Sequence, residues 1–280
     1  MTPVPKRARS LPTDKKAREI GQVYQALTTQ LERLAAVAIG SGRLQEQGYF
    51  NARRAEIYAL LKQAQDTTNP AIAEAIREAY EIGSLKSREW LAAFYGTDMN
   101  QPFSKGDQML LEMLTDRTIN KINDEALIMG QRTQEILRSA ALDELVATNV
   151  SGEDFEDATE QLTDALERAG VTYESSTARP GQIGAKLIKI NGRNYNAADY
   201  SELLVRTESR AAHSQATIQR LTDNDHDVVQ ITDHRTSCDV CGQWDGNKYS
   251  LTGATEGLEI LSEYPPFHPN CRHLITAALP

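Results

Sequence analysis

The chain has 280 residues, a formal net charge of -9, and 40% hydrophobic and 25% charged residues. This is the balance of soluble proteins, with length for two modest domains or one elongated one. The acidic balance argues against non-specific coating of nucleic acid, and no apolar run approaches the roughly 20 residues needed to cross a bilayer. Residues 1–20 lack the apolar centre of a signal peptide, so the expectation is a protein made and kept in a cytosol. The basic cluster Lys6, Arg7, Arg9, Lys15, Lys16 and Arg18 is expected to form a solvated N-terminal arm.

The first 170 residues repeat one theme of amphipathic helices broken by short polar joints. Between Asp14 and Ile39, the residues Ile20, Val23, Leu27, Leu31, Leu34 and Ala38 recur in steps of three and four, which places them on one helical stripe. Gly40-Ser41-Gly42 should stop that helix. A second helix is expected to carry Ile57, Tyr58, Leu61 and Ala64. A third should start at Asn69-Pro70, with Asn as cap and Pro in the first turn, bury Ile72, Ile76, Ala79, Tyr80, Trp90, Leu91 and Phe94, and end at Gly96. From about Lys105 to Thr148 a further stripe runs through Met109, Met113, Leu114, Ile122, Ala126, Met129, Ile136 and Leu137, read as core; its length implies a coiled-coil-like arm or a break near Gly130. A shorter helix is expected from Ser151 to Gly170.

Composition shifts at the polar stretch from Glu174 to Gly181, which holds Pro180-Gly181 and reads as a linker. Beyond it, Leu187–Ile190, the turn signal Asn191-Gly192 and Arg193–Asn196 predict a hairpin. Asn196 then caps a helix reaching about Leu221, and strands are expected at Asp227–Thr232, Lys248–Leu251 and Leu274–Ala278. The division by sequence is therefore 1–173 as a helical arm or bundle, 174–184 as linker, and 185–280 as a small α+β domain. The fold class is mostly α, an N-terminal helical arm or bundle followed by a small α+β C-terminal domain, which its Cys/His clusters are expected to stabilise through a metal.

All three cysteines fall in two short clusters of that last segment, Cys238-Asp-Val-Cys241 and His268-Pro-Asn-Cys271-Arg-His273. An odd count forbids complete disulfide pairing within the chain, and in a reducing compartment a Cys-x-x-Cys pair is read first as a metal or redox element. Two thiolates from one tight loop and an imidazole plus a thiolate from another supply the four N/S donors of a structural Zn²⁺. The metal-site candidates are Cys238, Cys241, His268, Cys271 and His273. His268 is preferred as fourth ligand, with His273 as replacement or as a hydrogen-bonding neighbour of the ligands. The alternative is three buried thiols on a small strand-rich core.

A catalytic zinc would keep a position open for water with a proton carrier beside it. Asp239, Asp245 and Glu263 are the nearby acids, and such acids are usually solvated; no His-x-Glu precedes the cysteines and no His-Glu-x-x-His occurs. No catalytic residue is therefore assigned. Arg206-Thr207-Glu208, with Arg210 and His213 following, reads as a solvated or interdomain salt-bridging helical face rather than a nucleotide site.

The order of features from Ile188 onward resembles the phage minor capsid protein 2 family, related to the Mu-type head morphogenesis proteins. The matching pieces are the Asn191-Gly192-Arg193 hairpin with Tyr195, Tyr200 with Arg206-Thr207-Glu208, the strand from Val228 with His234, Cys238-x-x-Cys241, Trp244-x-Gly246-x-x-Tyr249-Ser250, and His268-Pro-Asn-Cys271-Arg-His273. The resemblance covers about a third of the chain. It implies a virion component made in the bacterial cytoplasm and held in the capsid interior or near the portal, in few copies, assisting head assembly and in some members leaving with the DNA. The partners it implies are the portal or other capsid proteins, or further copies of this chain, with no membrane and with nucleic-acid contact secondary. An enzyme of the His-Asn-His nuclease type is the competing reading, opposed by the single Cys-x-x-Cys and the lack of an adjacent His pair for a catalytic hairpin.

Overall fold

In the computed structural model, residues 11–98, 101–149, 188–190 and 193–280 are described. They are mostly helical, with a small antiparallel sheet: α1 (Thr13–Gly40), α2 (Gln47–Tyr95), α3 (Lys105–Asn149), β1 (Ile188–Ile190), β2 (Arg193–Tyr195), α4 (Ala197–Thr222), β3 (Val228–Ile231), a short 3₁₀ turn (Gly242–Trp244), β4 (Lys248–Ser250) and β5 (Ile275–Ala277). The expected helix at 151–170 and linker at 174–184 lie outside the described residues. None of the helices is long and apolar enough to cross a membrane, among the described residues.

Helix α1 buries Ala17, Ile20, Tyr24, Leu27, Leu31, Leu34, Ala35 and Ala38, with Tyr24 in the buried position and Val23 only half-buried beside it. At its end Gly42 takes φ 62°, and its N–H donates to the Ile39 carbonyl at 3.3 Å, a left-handed exit that glycine adopts without a Cβ clash.

The two helices expected around Asn69-Pro70 are one. Helix α2 runs 49 residues with Pro70 inside it. Proline removes one backbone donor and crowds the carbonyl four residues back, a cost of about 3 kcal/mol. Burial on both sides offsets this: Ile57, Leu61 and Ala64 precede it, and Ile72, Ala75, Ile76, Ala79 and Tyr80 follow. The helix ends at Gly96 as expected, where φ is 65° and the N–H donates to the Ala92 carbonyl at 3.0 Å.

Helix α3 likewise passes Gly130 unbroken. A Cβ at Gly130 would sit 2.4 Å from Leu61 Cδ1 and 3.4 Å from Ile57 Cγ2, so the glycine serves close packing against α2. The stripe read as core divides. Leu114, Ile122, Ala126, Met129 and Leu137 are buried, whereas Met109 and Met113 are 62% and 53% exposed, one helical step off the buried face.

Two compact units are present, one of residues 1–20, 69–122 and 201–280, the other of residues 21–68 and 123–200. Their boundaries fall at 20, 68, 122 and 200. In the second unit β1 and β2 pair antiparallel, Ile190 opposite Arg193. In the first, the sheet has the order β4-β3-β5, all antiparallel. Its core joins Val229, Ile231, Tyr249, Leu261 and Ile275 to Leu221 of α4 and Leu91 of α2, with Trp90 and Ile218 packed alongside.

Helix α4 is capped by Asn196, whose Oδ1 accepts the Asp199 N–H at 2.7 Å. Its polar residues are mostly buried and paired. Glu208 binds Arg117 and Lys121 of α3, Arg210 binds Asp14 at 3.2 Å, Arg206 binds Glu202 and Asp14, and Arg220 reaches Asp107 at 3.3 Å. The Arg206–Arg210 face thus makes salt bridges, as its sequence implies.

Candidate metal centre

Strand pairing brings the two Cys/His clusters together. Ile231, the last residue of β3, pairs with Ile275, the first of β5. The loop leaving β3 carries Cys238 and Cys241, and the loop entering β5 carries His268, Cys271 and His273, so both open from the same end of the sheet. Backbone and side-chain bonds lock this end: Thr232 N–H donates to the Leu274 carbonyl at 3.1 Å, and Leu274 N–H returns to Thr232 Oγ1 at 3.0 Å. Trp244 of the first loop stacks on Phe267 of the second, with centroids 4.2 Å apart and planes 6° apart.

Each cluster is a tight turn. Gly242 N–H donates to the Cys238 carbonyl at 2.9 Å, and Cys271 N–H to the His268 carbonyl at 3.0 Å. Asn270 between them takes φ 64°, a left-handed value that Asn tolerates better than most residues.

The five predicted residues form a cluster that could hold a metal ion. Their donor atoms fall into two groups sharing Cys241: Cys238, Cys241 and His268, and Cys241, Cys271 and His273. His268 Nε2 lies 3.5 Å from Cys238 Sγ and 3.2 Å from Cys241 Sγ, and His273 Nδ1 lies 3.4 Å from Cys271 Sγ. Tetrahedral ligands at about 2.3 Å for sulfur and 2.0 Å for nitrogen stand roughly 3.5 Å apart, so these separations fit a bound ion.

Both imidazoles are oriented from behind. His268 Nδ1 meets the Pro269 carbonyl at 2.8 Å, and His273 Nε2 meets Asp245 Oδ1 at 2.8 Å. An outer N–H given to an acceptor leaves the inner nitrogen's lone pair aimed at the thiols, the arrangement of metal-bound histidines. Both His268 and His273 are thus oriented as ligands.

Electrostatics follow from burial and from the crowding of thiols. Burial, reinforced by Cys238 and Cys271, pushes the Cys241 thiol up to about 12. Cys238, more exposed, is lowered by the backbone N–H groups of Cys241 and Val240. At Cys271 burial acts upward, but the His273 hydrogen bond and backbone donors bring the thiol below its ordinary value. For His273 burial acts downward and is outweighed by Cys271 and Asp245, so its pKa is raised.

Asp245 was expected to be solvated like Asp239 and Glu263. Those two are exposed, but Asp245 has a side chain only 9% exposed and bonds three partners across both loops: His234 N–H at 2.7 Å, Thr236 N–H at 2.9 Å and His273. Its position four residues past Cys241 in a Trp-Asp-Gly turn gave no spacing signal for this role. His234 joins it, its ring centroid 4.8 Å from that of His273 and its Nε2 3.0 Å from Thr232 Oγ1. Compared with protein-family models, with curated proteins and with solved structures, the chain matches none.

Proposed function

We propose that this chain is a phage minor capsid protein, a structural component of the head at the portal or in the capsid interior, and that its Cys/His cluster holds a structural Zn²⁺. The observation that carries the reading is the convergence of Cys238-x-x-Cys241 with His268-Pro-Asn-Cys271-Arg-His273, the strings on which the resemblance turns, around a set of N/S donors. Trp244, another residue of the resemblance, stacks across the same two loops. Cys238, Cys241 and Cys271 with His268 or His273 would hold the ion, which when bound supplies a charge that ties two loops into one rigid unit. The residues themselves do the rest. Asp245 fixes the ring of His273, the Pro269 carbonyl fixes His268, and the Trp244–Phe267 stack ties the two loops to each other.

The function fits long helices as well. Chains that lie along another assembly need extended faces more than deep clefts, and α2 and α3 are 49 and 45 residues long. The test is mass spectrometry of gradient-purified phage particles in which this chain is expressed, combined with co-expression alongside a portal protein. The chain is expected in the head fraction in few copies and in the portal ring's elution peak. Its absence from both would overturn the assignment.

A further inference from the structure

Away from the cysteines, a cavity of about 370 Å³ opens between α2, α4 and the β5 edge of the sheet. Its walls are mainly apolar, from Trp90, Phe94, Ile275 and Ala277. His213 of α4 lines it, is only 2% exposed, and finds no hydrogen-bond partner for either ring nitrogen among the described residues. A neutral imidazole always carries one N–H and one lone pair, and leaving such groups buried and unmade costs about 1–3 kcal/mol.

Each of the other uncharged polar side chains around the cavity already donates one bond to a backbone carbonyl. Ser87 Oγ donates to the Gly83 carbonyl at 2.8 Å, Thr217 Oγ1 to the His213 carbonyl at 3.0 Å, Gln230 Nε2 to the Gly246 carbonyl at 2.8 Å, and Thr276 Oγ1 to the Gln230 carbonyl at 3.1 Å. The side chain with no partner among the described residues is His213, and beside it stands the exposed Lys86, whose positive charge reaches that ring and joins with burial in keeping it neutral. An apolar chamber with one unspent polar anchor and a cation beside it selects a molecule with an apolar body and a single anionic end.

We infer that this cavity binds a small apolar carboxylate, its hydrocarbon body against Trp90, Phe94 and Ile275 and its carboxylate accepting from the His213 N–H with Lys86 alongside. The inference rests on the cavity alone and is independent of the virion reading. The probe is octanoate, titrated into the full chain by calorimetry and by tryptophan fluorescence, with octan-1-ol and octylammonium in parallel. Octanoate is expected to bind at least tenfold more tightly than octanol and octylammonium more weakly than either. Lys86→Gln should erase most of the preference over octanol, and His213→Leu should weaken octanoate tenfold or more.

Ring ¹⁵N resonances of His213 in the unsubstituted protein give a reading that does not require His213→Leu to fold. They should move on addition of octanoate. No heat at millimolar octanoate, equal binding of the alcohol or the amine, or unmoved His213 resonances would each overturn the site and leave water as the only occupant.

Discussion

Asp227 and Asp245 look alike in sequence, an acid beside a strand, yet each organises a loop. Asp227 accepts five hydrogen bonds, from Ser250 Oγ, from the N–H and Oγ1 of Thr252, and from the N–H and Oγ1 of Thr255. Burial alone would raise its pKa, but these donors outweigh it and hold the carboxyl well below the usual carboxylate range. Because the folded value is depressed, the stabilisation is complete above the unfolded value of about 4 and is lost as pH falls through the folded value. Asp227→Asn offers an amide N–H₂ to a backbone N–H that needs an acceptor, and should cost about 2–3 kcal/mol at neutral pH. In urea unfolding, the gap between the two proteins should be widest near neutrality and narrow below about pH 4; a gap that stays constant on acidification would refute the role. Neither aspartate was legible as an organiser, because a carboxylate's donors come from residues whose approach depends on the completed sheet.

At the scale of elements, spacing showed where helices run and where they end, but not that one of them passes through Pro70. The α1 stripe, its glycine exit and the end of α2 at Gly96 are local properties, and local properties are what periodicity reports. Pro70 read as a helix start, and a break near Gly130 stood beside a continuous arm, because the tertiary contacts that carry helices through them cannot be seen in a window of residues. Helix α4 hides a different property: Glu208, Arg210 and His213 read as a solvated or salt-bridging face, yet they and Arg220 are buried. The reason is close approach. A Cβ on Gly83 of α2 would stand 2.3 Å from the His213 carbonyl oxygen and 3.0 Å from its carbonyl carbon and Cα, so the two helix backbones touch there. Gly83→Ala must push α2 off α4, because backbone cannot rotate away as a side chain can. The expected loss is about 1–3 kcal/mol despite alanine's better helix propensity. Gly48→Ala, with nothing within 4 Å on the same helix, should be neutral or gain up to about 1 kcal/mol. Thermal melting of both variants checks the contrast, and equal midpoints would refute the contact.

For the whole molecule, the Cys/His cluster is where the sequence spoke most clearly, since two tight turns with thiol and imidazole at fixed spacing state their own geometry. What it left out was how the loops are held, namely the β3–β5 register, the Trp244–Phe267 stack and Asp245 behind His273. These supports belong to the unit formed by residues 1–20, 69–122 and 201–280, so closing the cluster on an ion should stiffen that unit. Its ligands must shed protons to bind, and Cys241 holds its proton up to about 12; loading should therefore release protons and weaken as pH falls. We expect about one zinc per chain by elemental analysis. A strong chelator near pH 7 should lower the melting temperature and raise amide exchange roughly tenfold in residues 232–248 and 266–274, while residues 21–68 keep their protection. Cys241→Ser should reproduce that pattern without chelator, because Cys241 belongs to both donor groups. His268→Ala and His273→Ala then separate the fourth ligand from its neighbour: the one that abolishes zinc is the ligand, and the other loses affinity by about 10–100-fold. A folded, reduced protein that carries no metal, and whose two loops exchange no faster with chelator, would refute the zinc site.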